Sequence, residues 1–309
     1  MPSYPPFFDA SSLPVPFRHR IQPDLGGRDL VWHYTNSAGM IGILEHGEFW
    51  ASSAMLLNDH SEIRIGTELV RDAFERSDLT LGQGASLLYN GWRIDATERN
   101  DKVLHTYVLS ASKDGDSLSM WRGYGTGDVG YAIGLLGTLQ PSSSTPIYGD
   151  IPQEWLPVEY DSNEQDRLIQ ELVAHVVELG SRIDLGVRDD ERQMMLIETY
   201  REIERLICRI KDPAFRDEKE TRVVFPAGIS DGDFVRYRPS RFGITPYIGL
   251  RPFRTVLASG EISETRLPIV HIRIGPSPHQ RQAELALMSL LDDKGYGDVY
   301  VDSTGAPFR

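Results

Sequence analysis

Between Val31 and Ser53 the chain reads as strand, helix, strand, and this stretch restricts the possible folds more than any other. Val31-Trp32-His33-Tyr34-Thr35 is rich in β-branched and aromatic residues, so a strand is expected over 29–35. Ser37 can cap a short apolar helix running to about His46, and Gly47 can supply its left-handed stop. Phe49-Trp50-Ala51-Ser52-Ser53 then returns to a strand. A polar His-x-Thr therefore closes the first strand and a Trp-x-Ser lies on the second. On an alternating strand His33 and Thr35 share one face, and Tyr34 turns to the other, where it packs.

The rest of the chain divides into strands at both ends and helices in the middle. Residues 1–28 are rich in Pro, end in Gly26-Gly27 and are expected as an extended surface arm; residues 29–309 are expected as one α+β domain with a helical insertion over about 162–212. Asp59 with Glu62 has the form of a capping box, and Ile65, Leu69, Val70 and Phe74 form one apolar stripe behind it. A looser helix follows over 81–94, then a strand over Val103–Ser112. Asp116 can cap a short helix through Met120-Trp121-Arg122, ended by Gly123, Gly125 and Gly127, before an apolar strand Gly130–Leu136. Apolar residues three to four apart predict paired amphipathic helices over 164–182 and 189–211, with Met194, Met195, Leu196 and Ile197 in their core. Strands are expected over 220–225, 233–238, 246–258 and 268–274, then a helix over 279–294 and a last strand Asp298–Asp302. Grouping strands apart from helices argues for α+β, not a doubly wound parallel sheet.

Composition removes several function classes. At 309 residues the chain can bury a substantial core. No run approaches the roughly 20 apolar residues of a bilayer span, and Met1 to Pro6 has no secretory pattern, so a cytoplasmic protein without a membrane partner is expected. Cys208 is the single cysteine, which excludes an intramolecular disulfide and a cysteine-based zinc site. A net charge of −13 opposes general affinity for nucleic acid. Locally, Arg236, Arg238, Arg241, Arg251 and Arg254 stand without an acidic residue among Tyr237, Phe242, Tyr247 and Phe253, a pattern that can hold a pyrophosphate or remain a solvated strand surface.

Dinucleotide, phosphate-loop, zincin and nucleophile-elbow signatures are absent. What remains is a set of scattered candidates, each with a structural alternative. His33 can hydrogen-bond a sugar hydroxyl, or be a satisfied rim histidine. Trp121-Arg122-Gly123-Tyr124 can stack a ring and bind phosphate, or anchor a turn. Glu218, Glu220 and Arg222 fall on one strand face by their period of two, as a salt-bridged ladder or as a carboxylate held by an arginine against an incipient cation.

Taken jointly, several motifs over 29–309 resemble a widespread prokaryotic domain of unknown function: His33-Tyr34-Thr35, Asn58-Asp59 with Glu62, Met120-Trp121 with Tyr124, Glu218-x-Glu220-x-Arg222, Ile274-Gly275-Pro276, and Ser303 through Pro307-Phe308-Arg309. The opening His-x-Thr, helix and aromatic-Ser strand are also similar to ADP-ribosyltransferases of the His-Tyr-Glu type, including toxins that modify nucleic acid. That likeness implies an ADP-ribosyltransferase-like mixed or antiparallel sheet. It also implies NAD as substrate, no metal, and transfer of ADP-ribose to a protein or nucleic-acid acceptor, as in a toxin or anti-phage effector. Glu220, with Glu218 and His33, would carry catalysis. His33, Tyr34, Thr35, Trp50, Ser52, Asn58, Ser112, Trp121, Arg122, Tyr124, Arg222 and Arg241 would bind NAD. Trp50 stands where that family has tyrosine, and whether Glu218 or Glu220 enters the cleft stays open, as does transfer against hydrolysis. Two other readings share these residues: a non-catalytic nucleotide-sensing module of a defence system, and a metal-dependent nuclease using Asp59, Glu62, Glu218 and Glu220.

Overall fold

The computed structural model describes residues 19, 22–56, 60–77, 81–98, 106–124, 129–137, 139–141, 154–226, 235–240, 243–252, 255–256, 262–263 and 266–307. In chain order the elements are β1 (Val31–Asn36), α1 (Ser37–His46), β2 (Phe49–Ser53), α2 (His60–Ser77), α3 (Gln83–Glu98), β3 (Thr106–Ser112), α4 (Leu118–Tyr124), β4 (Gly130–Leu135), β5 (Leu139–Pro141), β6 (Leu156–Pro157), α5 (Ser162–Asp184), α6 (Asp189–Ile207), β7 (Glu220–Pro226), β8 (Arg236–Ser240), β9 (Gly243–Pro252), β10 (Thr255–Val256), β11 (Ile262–Ser263), β12 (Ile269–Ile274), α7 (Gln280–Asp293) and β13 (Tyr300–Ser303). The strand–helix–strand opening and the paired middle helices form as expected.

Eleven strands join one mixed sheet, in the order β13-β12-β4-β1-β3-β2-β9-β5, with β7 on β3, β6 on β7 and β8 on β9. Its pairs are antiparallel except β12 with β13. The architecture is therefore α+β, as the segregation of strands and helices predicts.

Local chemistry explains the first connection. Asn36, not Ser37, caps α1: its Oδ1 accepts the Gly39 N–H at 2.9 Å, while Gly47 adopts φ 63° and returns its N–H to the Ile43 carbonyl. A cap one residue earlier is within ordinary boundary error. Met40, Ile43 and Leu44 lie on one stripe of α1 and are buried against the sheet with Phe49, Ile133 and Ile248. α7 contributes Leu287, Met288 and Leu291 to the same core. Each such fully buried side chain contributes about 1.5–3 kcal/mol relative to exposure.

A second core is wholly helical. Val70 and Phe74 of α2, Leu88 and Trp92 of α3, Ile169 and Val176 of α5, and Met195 and Ile203 of α6 are buried together. The helical layer thus draws α2 and α3 to the pair expected as an insertion, and α3 crosses α5 where Gly84 and Gly180 let the backbones meet. Met195 is core as expected, but Met194 and Ile197 are exposed, because four consecutive residues of a helix cannot all face one side. Glu204 of α6 ties this layer to the sheet, accepting Trp92 Nε1–H at 3.0 Å and Thr106 Oγ1–H at 2.7 Å.

Two further expectations change. His19, within the stretch expected as a surface arm, is fully buried, and its carbonyl accepts the Val301 N–H at 2.8 Å beside β13. Glu218 is not on the strand with Glu220: it ends a 3-10 turn over Pro213–Glu218, and Lys219 at φ 45° turns the chain into β7. No described helix is long and apolar enough to cross a membrane.

Candidate functional site: a fork in the sheet

Every residue of β3 from Thr106 to Ser112 pairs with β7 along one edge. β1 and β2 must therefore share the other edge. β2 takes its start, at Tyr107 and Val108, and β1 its end, at Ser112. Between them, residues 109–111 of β3 have no strand partner on this edge among the described residues, so the sheet forks there. One prong continues through β4, β12 and β13, and the other through β9, β8 and β5.

His33 stands at this fork. Its Nδ1 lies 2.9 Å from the Ser110 carbonyl, one of the acceptors the missing strand would have filled, and its ring meets Phe49 edge-on at 5.3 Å. A carbonyl only accepts, so Nδ1 carries the proton. Burial lowers the His33 pKa, outweighing the bond to Ser110, and the ring is neutral at pH 7. Nε2 is consequently an acceptor, the reverse of a histidine that donates to a sugar hydroxyl.

The strands around the fork are buried except at a few positions. His33 and Thr35 of β1, Trp50 and Ser52 of β2, and Ser110 of β3 are the half-buried ones with polar groups. The Trp50 Nε1–H donates to Glu48 Oε1 at 3.0 Å, and its ring tilts against Tyr247 at 4.7 Å. Arg238 donates to Ser52 Oγ at 2.8 Å and lies over the Trp50 ring at 5.7 Å.

The late carboxylates that the transferase likeness singles out lie in a buried ion-pair cluster. Glu220, 6% exposed, accepts Arg222 Nε–H and NH2–H at 2.8 Å each and Lys211 Nζ–H at 3.0 Å. Lys211, itself buried, also donates to Glu218 at 2.6 Å, and Arg222 donates to the Cys208 carbonyl at 2.8 Å. Burial alone would raise the Glu220 pKa, but Arg222, Lys211 and the Ser110 hydroxyl hold it at about 2. Two carboxylates against two cations leave the cluster neutral. Register adds a second obstacle. Glu220 pairs with Ser112, and Ser112 with Trp32, so Glu220 falls on the Trp32 face of the sheet while His33, paired with Ile133, falls on the other. What links them is Ser110, whose carbonyl meets His33 and whose hydroxyl bonds Glu220.

The remaining candidates separate. Tyr34 and Trp121 are core residues packed edge to face at 4.7 Å; Tyr34 Oη donates to the Asp114 carbonyl and Trp121 Nε1 to Asp116. Their ring faces are occupied by packing. Ser112 is fully buried and donates to the Glu218 carbonyl at 2.6 Å, and Arg222 is consumed by Glu220. Arg122 is exposed on α4. Asn58, Asp59 and Arg241, and the side chains of Glu62 and Tyr124, lie outside the described residues. No group of three His, Cys, Asp or Glu side chains placed to hold a metal occurs among the described residues. The fork thus has His33 and Thr35 on one face and Trp50 and Ser52 on the other, all from the expected list; Ser110 and Arg238 join the second face, and Lys211 joins the Glu220 cluster. Ser110 shares its alternation with Ser112 and was legible; Lys211 follows a helix, and nothing local marks it as buried.

Residues 120–223 match the model of a family described as a protein of unknown function (DUF2971). The match runs from α4 to β7 and includes the Glu220–Arg222 pair, which supports kinship with an uncharacterised family. No curated protein and no solved structure matches the chain.

Proposed function

We propose that the protein binds a nucleotide of the NAD class in the fork between β1 and β2 and retains it intact, as a sensing module. The observation that carries this reading is that half-buried polar residues flank the fork while the late carboxylates are closed in ion pairs. Half-buried polar groups on otherwise buried strands, with a neutral histidine presenting an acceptor nitrogen, suit a sugar hydroxyl and an aromatic base. Cleaving a nicotinamide bond requires a negative charge aimed at the developing cation. Glu220 has spent its charge on Arg222 and Lys211.

A transferase is the second reading, favoured by the Ser110 link between His33 and Glu220. In that case ligand binding would have to loosen the Lys211 contact and free Glu220 for the ribose. The two readings part in one experiment, in which NAD is titrated calorimetrically into wild type and His33→Phe while released nicotinamide is followed. Binding that His33→Phe weakens about tenfold, without release, is expected. Steady nicotinamide release, abolished in Glu220→Gln, would replace the sensing reading with the transferase; absence of binding by any nucleotide would remove both.

A further inference from the structure

Arg238 is the cation in the fork region that has no carboxylate partner among the described residues, in a protein where 45 acidic residues outnumber 32 basic ones. Its neighbours on the same prong share one carboxylate: Arg236 pairs with Glu48, and Arg251 Nε lies 3.7 Å from the same group. Arg238 instead donates NH2–H to Ser52 Oγ at 2.8 Å, faces the Trp50 ring at 5.7 Å, and keeps its Nε buried with no hydrogen-bond partner. Taking a guanidinium partly out of water is unfavourable, and a hydroxyl and a ring recover only a fraction of that cost. Such an arrangement is completed by an anion.

We infer that Arg238, Ser52 and Trp50 form the phosphate-recognising end of the fork, so that its ligand is a phosphorylated nucleotide and not a free nucleoside. The inference rests on the nucleotide reading above and adds which chemical group anchors the ligand. Ser52 accepts from Arg238 and keeps its own O–H for a phosphate oxygen, while the guanidinium edge offers charge-assisted donors in a planar fork. Ser52 pairs with Val108, two residues from Ser110 on the same face of β3, so the anion site lies on the sheet face opposite the His33 ring and meets it only through the gap beside 109–111, where the Ser110 carbonyl reaches His33.

Inorganic pyrophosphate is the probe, titrated by calorimetry into the full chain. Arg238→Gln is expected to weaken its binding at least tenfold, Ser52→Ala several-fold, and Arg238→Lys less than Arg238→Gln, since charge is kept while the planar fork is lost. Equal affinity in wild type and Arg238→Gln, or no binding of pyrophosphate at millimolar concentration, overturns the inference. Arg238→Lys guards against a folding artefact: if both variants melt like wild type and only Gln loses binding, the site stands. Competition separates the two levels of the argument. NAD displacing pyrophosphate supports both. Pyrophosphate bound through Arg238 but not displaced by NAD keeps the anion site and removes NAD from the fork.

Discussion

Replacing Glu220 by glutamine removes the one charge that joins Arg222 to Lys211, and its effect can be worked out in advance. Glu220 is held at about 2 against an ordinary value of 4.5. At about 1.4 kcal/mol per tenfold, that difference contributes ~3 kcal/mol of stability at neutral pH. The sign follows from the depressed value. The contribution is fully present above 4.5 and is lost as pH falls toward about 2. By pH 3 about 2 kcal/mol of it is gone. Glu220→Gln also leaves two buried cations facing Glu218 alone, and breaking a buried pair in this way costs about 3–5 kcal/mol at pH 7. Urea unfolding of wild type and variant at pH 7, 5, 4 and 3 reads the difference directly. The gap between them should narrow by about 2 kcal/mol between pH 7 and pH 3. A gap constant across this range would show that Glu220 is not the buried, doubly paired carboxylate described, and the argument against its catalytic role would fall.

Other consequences follow from the same geometry. A methyl group added at Gly180 would overlap the backbone of Ala85, so Gly180→Ala should destabilise by about 1–3 kcal/mol and lower the melting temperature. Asp302 accepts both Arg273 Nε–H and NH2–H, at 2.8 and 2.7 Å, and lies 3.1 Å from His271 Nε2. Burial would raise its pKa, but His271 and Arg273 hold it at about 2. Asp302→Asn should therefore flatten the loss of stability below about pH 4, measured as the pH dependence of the urea midpoint; an unchanged acid limb would refute it.

How much of this was legible in the sequence depended on whether the signal was local. Val31–Ser53 declared its elements because alternation, a helical stripe and Gly47 all agree, and the structure differs only in moving the cap to Asn36. The α5–α6 pair was equally plain from its apolar spacing. The period of two misled at Glu218: the left-handed Lys219 breaks the strand, yet Lys211 brings the two carboxylates to one ammonium by another route. For Trp121 the sequence left two readings, a ring platform beside a glycine-rich loop or a turn anchor, and the indole fills the core against Tyr34 and Gly275. The fork itself has no local signature. It arises because β7 takes one whole edge of β3 and leaves β1 and β2 to divide the other, a consequence of pairing across more than 100 residues.

The central claim is that the fork holds a nucleotide while Glu220 stays closed in its ion pairs, and a crystal structure with NAD soaked in tests it most directly. The account predicts uncleaved NAD passing through the gap beside β3 residues 109–111, with a ribose hydroxyl donating to His33 Nε2 on one face, phosphate at Arg238 and Ser52 on the other, and Glu220 still joined to Arg222 and Lys211. Density for cleaved nicotinamide with Glu220 turned onto the ribose, or NAD bound away from the fork, would contradict it.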